Sequence, residues 1–369
     1  MLTALYNTLI VFNGQVTDGK AVIIENSQIQ AVISVSEIPA QAERIDLKGA
    51  YLAPGLIDLQ IYGSGKQLFG GHPSVAALQE MELDLLQKGC TGFLATVATN
   101  IDEVVVKAIE AAKAYRPQAI GSFLGLHMEG SYINPLRRGA HLEQHIKKAT
   151  LKEITNWINL GEGKIKMITL APELQDAEVL EYLAQQNIIL SSGHSDATYQ
   201  QAKDFINKPI NAITHLYNAM PPMHDRVPGI IPAIFEHKPY TSIVADGVHV
   251  DFSMIRLAKR ELGDKLFLIT DAVTESTDGV YPHRFDKNRY VMPDGILSGS
   301  ALTLLKAVQN CVQHAGISLG EAVNMASLYP AQLAALASKG KVEAGYDADL
   351  IIFDSEFNIQ FTYYKGKRY

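Results

Sequence analysis

The hydrophobic and polar positions of this chain follow two different patterns. Residues 1 to about 50 carry short apolar runs separated by turn residues, and the runs at 21–24 and 29–33 predict a β-hairpin. A similar β pattern returns at 339–353 and 357–364. Because the strands at either end are too few to bury both faces of a sheet, we expect the N- and C-terminal segments to form one small β-sandwich domain.

From residue 51 onwards, short apolar runs alternate with segments of helical periodicity. The predicted strands are 51–61, 92–98, 120–126, 165–171, 188–192, 212–216, 242–245 and 266–270. The predicted helices are 75–88, 102–115, 151–160, 177–186, 198–206, 230–236, 251–262 and 301–315, with a further helical stretch at 319–337. Eight strands that each precede a helix indicate an α/β protein with a (β/α)8 TIM-type barrel, and a doubly wound sheet is the alternative. The predicted domains are a β-domain of residues 1–50 plus 342–369 and a barrel of residues 51–341.

The composition narrows the class of protein. The 369 residues are 47% hydrophobic and carry a formal net charge of −7, which is typical of a globular protein with a large core. The chain has no cluster of Lys and Arg, so we expect no nucleic-acid partner. It has no signal-peptide pattern and no apolar run long enough to span a bilayer, so we expect no membrane association. Cys90 and Cys311 do not make a disulfide framework, and a cytoplasmic location is predicted.

Polar residues stand at the C-terminal ends of the predicted strands, where the active site of such a barrel lies. They are Gln60, Thr96, Glu129, Glu173, His194, His215, His249 and Asp271. Placement by chance would scatter these residues over the surface. Their shared position therefore predicts one functional rim.

Glu129, His194 and His215 are candidate metal ligands. Taken alone, Glu129 is better explained as a helix cap or as a partner of Arg137 or Arg138, and a single buried His as a hydrogen-bonded core residue. Strands 5 and 6 are neighbours in a barrel, so the two imidazoles can share one ion, and Glu129 can reach the same point across the mouth. Two His and one Glu leave positions open for water and substrate, as a catalytic zinc-type site requires.

Asp271 ends the last predicted barrel strand. A carboxylate at this position can accept a proton from water and pass it to a departing amine. The alternative is a helix N-cap for the segment that follows. The neighbouring candidate ligands favour the catalytic role.

Six motifs together resemble the N-acetylglucosamine-6-phosphate deacetylases of the metal-dependent amidohydrolase superfamily, over nearly the whole chain. They are Ala53-Pro54-Gly55-Leu56-Ile57-Asp58, His127-Met128-Glu129-Gly130, Ser192-Gly193-His194-Ser195, Thr214-His215-Leu216-Tyr217-Asn218-Ala219-Met220, Ala245-Asp246-Gly247-Val248-His249 and Thr270-Asp271-Ala272. The resemblance includes Leu297-Ser298-Gly299-Ser300 and Gly345-Tyr346-Asp347-Ala348-Asp349-Leu350. The His-Leu-Tyr-Asn-Ala-Met run is specific to the deacetylases, whereas the Pro-Gly-x-Ile-Asp run occurs across the superfamily.

The resemblance implies hydrolysis of N-acetylglucosamine-6-phosphate to glucosamine-6-phosphate and acetate in amino-sugar catabolism. It implies that Glu129, His194 and His215 hold the metal, that Asp271 is the general base and acid, and that His141 polarises the acetyl carbonyl. The implied substrate-binding residues are Ala140, His141, Asn218, Ala219, Arg226, His249, Leu297, Ser298 and Gly299. Backbone N–H groups of Asn218 and Ala219 and the guanidinium of Arg226 suit a phosphate. The resemblance also implies a homodimer in which Arg226 reaches across the interface.

The sequence departs from the superfamily at Gln60 and Tyr62. Many members carry His-x-His there and bind a second metal. Because Gln is a poor zinc ligand, we predict one divalent ion per subunit, Zn²⁺ or Fe²⁺, which accept the same ligands. Tyr62 is a candidate for substrate contact. The remaining histidines are interpreted as surface or structural residues: His72, His145, His224, His237, His283 and His314.

Two other functions are compatible with the residues. The first is the same chemistry on the galactosamine epimer or on another N-acyl substrate. The second is a sugar-phosphate sensor without catalysis, which the intact ligand set and Asp271 disfavour.

Overall fold

The computed structural model describes residues 2–12, 14–115, 120–277 and 279–369. Eight parallel strands form its central sheet, and their spatial order is their order in the chain. These barrel strands are Leu56–Ile61, Cys90–Ala98, Phe123–Glu129, Ile165–Leu170, Ile189–Ser192, Ala212–Ile213, Tyr240–Val244 and Leu266–Ile269. Near the C-terminal ends of the first and last strands, the Asp271 N–H donates to the Gln60 carbonyl at 3.0 Å and the Tyr62 N–H donates to the Ala272 carbonyl at 2.9 Å. The sheet is thus nearly closed as a barrel, which confirms the predicted fold and excludes a doubly wound sheet.

One α-helix follows each barrel strand. These helices are Val75–Gln87, Asp102–Ala114, Leu151–Gly161, Ala177–Ala184, Tyr199–Phe205, Ile231–His237, Phe252–Leu262 and Leu304–Gln313. Polar side chains begin several of them: the Thr150 hydroxyl accepts from the Glu153 N–H, and the Asp251 carboxylate accepts from the Ser253 N–H. Two further α-helices are Leu319–Ala326 and Leu328–Leu333, and 3-10 turns occupy Val35–Glu37, Pro135–Arg137, Glu143–His145, Pro172–Leu174 and Gly263–Lys265.

Several predicted elements differ from the structure. The predicted strand 51–61 is two strands, Tyr51–Pro54 and Leu56–Ile61, which lie in different sheets. The third barrel strand runs to Glu129, so this carboxylate is its last residue; positions 116–119, next to the predicted strand start, lie outside the described residues. The sixth strand ends at Ile213, because His215 has φ +35°. The helix predicted at 319–337 is divided at Ser327, whose φ and ψ of −136° and −68° are not helical.

The terminal segments form two sheets. The four-stranded sheet has the order Gln28–Ser34, Lys20–Glu25, Leu2–Tyr6, Glu43–Asp46, and the six-stranded sheet has the order Lys367–Arg368, Ile359–Tyr364, Leu350–Phe353, Tyr51–Pro54, Leu9–Phe12, Gln15–Thr17. The second sheet joins both ends of the chain. Leu5 and Val22 from the first sheet and Leu52 and Ile352 from the second share one buried core. The two terminal segments therefore form a small β-domain. It contains the predicted hairpin, in which Lys20–Glu25 pairs with Gln28–Ser34.

The chain divides into two compact units. One comprises Met1–Asp58, Leu83–Gly92 and Thr303–Tyr369, and the other comprises Leu59–Glu82 and Phe93–Leu302. The second unit also contains the short pairing of Gly63–Ser64 with Gln67–Leu68 and an antiparallel sheet of Arg284–Asp286, Arg289–Val291 and Leu297–Ser300. The domain bounds predicted from the sequence stay a prediction. In the described part of the chain, every helix is too short or too polar to cross a membrane.

Candidate active site

Glu129, His194 and His215 meet at the C-terminal ends of three barrel strands. Oε1 of Glu129 lies 3.0 Å from Nε2 of His215 and 3.5 Å from Nε2 of His194, and the two nitrogens are 3.1 Å apart. All three side chains are buried. Glu129 is not paired with Arg137 or Arg138, which instead form ion pairs with Asp196 and Glu143.

The backbone is strained at two candidate metal ligands and at the candidate general base. His194, His215 and Asp271 have φ of +49°, +35° and +53°, in the left-handed region that side chains with a Cβ rarely adopt. Each residue lies just beyond the end of a barrel strand. Strain of this kind persists only where the surroundings enforce it, and it concentrates at functional sites.

The donor atoms fit a metal ion. Nδ1 of His194 donates to the Arg137 carbonyl at 2.8 Å, so Nε2 keeps its lone pair for the site. Nδ1 of His215 is buried and has no hydrogen-bond partner among the described residues. The triangle of Oε1, Nε2 and Nε2 has sides of 3.0, 3.1 and 3.5 Å. A tetrahedral zinc site with bonds of about 2.0–2.2 Å has neighbouring ligand atoms about 3.3–3.6 Å apart, so these residues need little movement to hold such an ion.

His141 adjoins the same cluster. Ligand atoms of Glu129, His141 and His194 all lie within 4.8 Å of one another, and the rings of His141 and His194 are 4.4 Å apart between centroids. Burial, with the neighbouring His194, lowers the pKa of His141 to about 3, so this imidazole is neutral near pH 7. Two ligand sets are therefore available, and the set Glu129, His194 and His215 stays a prediction.

The charges of the cluster stabilise one another. Burial by itself raises the pKa of Glu129, but hydrogen bonds and charge from His194 and His215 outweigh it and hold the pKa well below its usual value. Burial lowers the pKa of His215, and the adjacent Glu129 carboxylate outweighs that effect and raises it. Glu129 is thus held as a carboxylate, the charged form that binds a cation.

Gln60 and Tyr62 both donate hydrogen bonds to Oε2 of Glu129, the oxygen that does not contact His194 or His215. Nε2 of Gln60 donates to Oε2 of Glu129 and to Oδ1 of Asp271, each at 2.8 Å, and the Tyr62 hydroxyl also donates to Oε2 of Glu129. The Thr214 hydroxyl donates to Oε1 of Gln60, which fixes the orientation of the amide. Gln60 and Tyr62, at the positions where many superfamily members carry His-x-His, thus act as hydrogen-bond donors to Oε2 of Glu129.

Asp271 faces the cluster from the last barrel strand. Burial raises the pKa of its carboxyl above the usual value, the charge of His215 opposes this, and the charge of Glu129 adds to it. A raised pKa suits a group that must both take and release a proton. The N-cap alternative is wrong, because in the described chain the next α-helix begins only at Leu304.

Glu173 lies in the 3-10 turn after the fourth barrel strand and bonds to residues on either side of the site. Its Oε1 accepts from the Asp196 N–H at 2.9 Å and from Asn134 Nδ2 at 3.0 Å, and its Oε2 accepts from the Ser195 hydroxyl at 2.8 Å. These bonds hold the loop that carries His194. Thr96 accepts from the Ile61 N–H at 3.1 Å and likewise supports the backbone.

A cavity of about 240 Å³ opens above the cluster. His194, His215, Asp271 and Tyr62 form part of its wall. Eight of the nine predicted substrate-binding residues also line it: Ala140, His141, Asn218, Ala219, His249, Leu297, Ser298 and Gly299. Arg226 does not line it; its side chain is 86% exposed and lies 3.6 Å from Asp225.

Two hydrogen-bonded contacts in the cavity wall were not predicted from the sequence. The backbone N–H of Asn218, expected to face a phosphate, donates to the His215 carbonyl at 2.9 Å. His249 is held by Asp246, which accepts from Nδ1 at 2.6 Å and from the His249 backbone N–H at 2.8 Å. Asp246 was not singled out in the sequence, although it lies three residues before His249 in one of the recognised motifs.

His283 was interpreted from the sequence as a surface or structural residue, and its place in the cavity wall was not predicted. It is 5% exposed and lines the cavity, with Nδ1 2.9 Å from the Ser298 hydroxyl and its ring stacked on Tyr281 at 6.1 Å. Burial lowers its pKa to about 4, so the ring is neutral near pH 7. His283 lies in an irregular segment, where strand-end reasoning gives no signal. The other histidines set aside in the sequence do not line the cavity as described: His72, His145, His224, His237 and His314.

Comparison with known proteins agrees with this geometry. Residues 51–369 match the model of the amidohydrolase family, and residues 3–52 match the NagA composite domain. The N-acetylglucosamine-6-phosphate deacetylase of Haemophilus influenzae is 32% identical over 100% of this chain and 99% of its own, and that of Homo sapiens is 33% identical over 88% and 85%.

Solved structures give the same result. The crystal structure of the deacetylase from Pasteurella multocida has a TM-score of 0.93 and 33% identity, with 100% of both chains covered. A mutant of the Mycobacterium smegmatis enzyme in complex with N-acetyl-D-glucosamine-6-phosphate has a TM-score of 0.87 and 26% identity, covering 100% of this chain and 98% of that chain. The chain belongs to the N-acetylglucosamine-6-phosphate deacetylases of the amidohydrolase family.

Proposed function

We propose that this protein hydrolyses the acetamido group of N-acetylglucosamine-6-phosphate to acetate and glucosamine-6-phosphate, as a step of amino-sugar catabolism. One observation carries the proposal. A buried carboxylate, two imidazoles and a second carboxylate, Asp271, converge on one cavity. The relatives of the same family that act on this phosphorylated sugar support the choice of substrate.

In this proposal Glu129, His194 and His215 hold one divalent ion, Zn²⁺ or Fe²⁺. Such an ion polarises a carbonyl oxygen and lowers the pKa of water from 15.7 to about 7. Asp271 takes the proton of the attacking water and delivers it to the sugar nitrogen as the amide C–N bond breaks. Its raised pKa suits both halves of this transfer. Gln60 holds the carboxylate by its Oδ1 and leaves Oδ2 for the proton.

His141 is proposed to donate a hydrogen bond to the acetyl oxygen, where negative charge develops in the transition state. The sugar and its phosphate are proposed to contact Ala140, Asn218, Ala219, His249, Leu297, Ser298 and Gly299, which all line the cavity. Arg226 lies on an exposed loop of its own chain, with Met223 and Val227 also exposed. We therefore propose a homodimer in which Arg226 completes the phosphate site of the other subunit.

A cytoplasmic location is part of the proposal. Cys90 and Cys311 are both buried, and no disulfide joins them. Cysteines that stay reduced are typical of proteins kept in a reducing compartment.

Acetate release tests the function directly. Purified protein of measured metal stoichiometry is incubated with N-acetylglucosamine-6-phosphate, its galacto epimer and unphosphorylated N-acetylglucosamine. We expect acetate and free amine in equal amounts, with the first substrate preferred in kcat/KM. Faster turnover of the epimer would reassign the substrate. Tight binding of the sugar phosphate without acetate release would instead indicate a sensor.

A further inference from the structure

Nδ1 of His141 is enclosed by hydrogen-bond donors. The backbone N–H of Thr99 donates to it at 3.3 Å, and the Thr99 hydroxyl lies 2.7 Å from the same nitrogen. A backbone N–H can act only as a donor. A proton on Nδ1 would therefore face another N–H, so the backbone favours the lone pair of the ring on Nδ1.

The hydroxyl of Thr99 agrees with this assignment. Its oxygen accepts from the Ser131 backbone N–H at 2.9 Å, which leaves its own proton to donate to His141. Thr99 is 1% exposed and His141 is 6% exposed, so water does not compete for these bonds. Both donors of Thr99 thus point to the same tautomer.

Gly130, the residue after Glu129, leaves the space in which Thr99 and His141 meet. A Cβ at Gly130 would lie 2.2 Å from the Thr99 hydroxyl oxygen and 3.0 Å from Nδ1 of His141, both closer than real Cβ contacts. Gly130 also has φ +118°, which other residues rarely adopt. Glu129 is the candidate ligand, and the absence of a side chain at Gly130 leaves room for the contact between Thr99 and His141.

We propose that Thr99 is a positioning residue that keeps the proton of His141 on Nε2, so that His141 donates a hydrogen bond into the cavity and does not bind the metal. The contrast with His194 supports the assignment. Nδ1 of His194 donates to the Arg137 carbonyl, which leaves the lone pair on Nε2. The groups behind each ring, the hydroxyl and N–H of Thr99 for His141 and the Arg137 carbonyl for His194, therefore decide which imidazole is a donor and which is a ligand. They select between the two available ligand sets.

Neutron diffraction from the zinc-loaded, deuterium-exchanged protein tests the tautomer without any assay. We expect a deuteron on Nε2 of His141 and none on Nδ1. A deuteron on Nδ1, or Nε2 of His141 at bonding distance from the metal, would overturn the proposal. The neutron experiment does not depend on the proposed function. An inactive protein would refute the deacetylase function, and the neutron map would still show which nitrogen of His141 carries the proton.

A pair of variants tests the effect on the proposed reaction. Thr99→Ser keeps the hydroxyl, whereas Thr99→Val keeps the shape and loses it. We expect Thr99→Ser to stay within about threefold of the wild type and Thr99→Val to lower kcat by about 10- to 100-fold, with KM and bound metal little changed. Unchanged kcat in Thr99→Val, or a loss of metal that accounts for its lost activity, would count against the proposal. If Thr99→Val does not fold, the neutron map of the wild type decides.

Discussion

Nε2 of Gln60 donates a 2.8 Å hydrogen bond to Oδ1 of Asp271, linking the first barrel strand to the last. The same nitrogen donates to Oε2 of Glu129 at 2.8 Å. The Thr214 hydroxyl, bonded to Oε1 of Gln60, prevents the amide from turning over. One amide therefore holds the buried carboxylate of Glu129 and the partly buried carboxylate of Asp271, with one proton directed to each.

Tyr62 is the second proton donor to Glu129, and its removal tests this network. We expect Tyr62→Phe to weaken zinc affinity or activity by about 10- to 100-fold, because Oε2 loses one of its two donors. Zinc affinity is measured by competition with a chelator. The matched control is Tyr199→Phe, which removes an exposed Tyr–Glu hydrogen bond, to Glu236, and should leave zinc binding unchanged. Equal zinc affinity in wild type and Tyr62→Phe would contradict the role.

Asp271→Asn separates proton transfer from metal binding. Asparagine keeps the size of the side chain but cannot accept the proton of water, so we expect turnover to fall by about 10²- to 10⁴-fold. The three candidate ligands are untouched, and bound metal per subunit should be unchanged. Acetate release and metal analysis on the same preparation measure both quantities. An Asp271→Asn protein with near-normal turnover would remove Asp271 from the reaction.

Arg226→Ala tests the exposed loop as part of a phosphate site. A lost charge-assisted hydrogen bond corresponds to an increase in KM of about 10- to 100-fold for the phosphorylated sugar. Because Arg226 is exposed, the thermal stability of the protein should not change. Arg260→Ala, an exposed arginine on the helix Phe252–Leu262, is the control. Sedimentation shows whether both variants have the same oligomeric state, and an unaltered KM in Arg226→Ala would exclude the phosphate role.

His283 gives the stability of the fold a pH dependence. Its pKa is lowered by burial to about 4 from 6.5, so between these pH values the unfolded imidazole binds a proton that the folded one does not. Stability therefore falls as the pH decreases through this range, by at most about 3 kcal/mol from this group. His283→Gln should lose less stability than the wild type between pH 7 and pH 4 in urea denaturation. His314→Gln, at an exposed helix end, should follow the wild type, and parallel curves for all three proteins would refute the assignment.

The barrel and the cluster of candidate metal ligands follow from regularities that a single sequence carries. Alternating strands and helices predict the sheet, and polar residues at strand ends predict what gathers at its rim. The meeting of Glu129, His194 and His215 was predictable because each lies at or just beyond the end of a barrel strand.

Other parts of the site leave no such pattern. His283 comes from an irregular segment, and Thr99 acts partly through a backbone N–H, which any residue at that position supplies. The backbone bond between Asn218 and His215 depends on a local turn with φ +35° at His215, which the side chains do not reveal. Arg226 is proposed to act in another subunit, so its partner is absent from its own chain.

Anomalous diffraction at the zinc edge, from crystals of the zinc-loaded protein, tests the central claim most directly. The account predicts one peak per subunit, about 2.0–2.2 Å from Oε1 of Glu129, Nε2 of His194 and Nε2 of His215. A second peak beside Gln60, or a single peak bonded to His141 in place of His215, would contradict it.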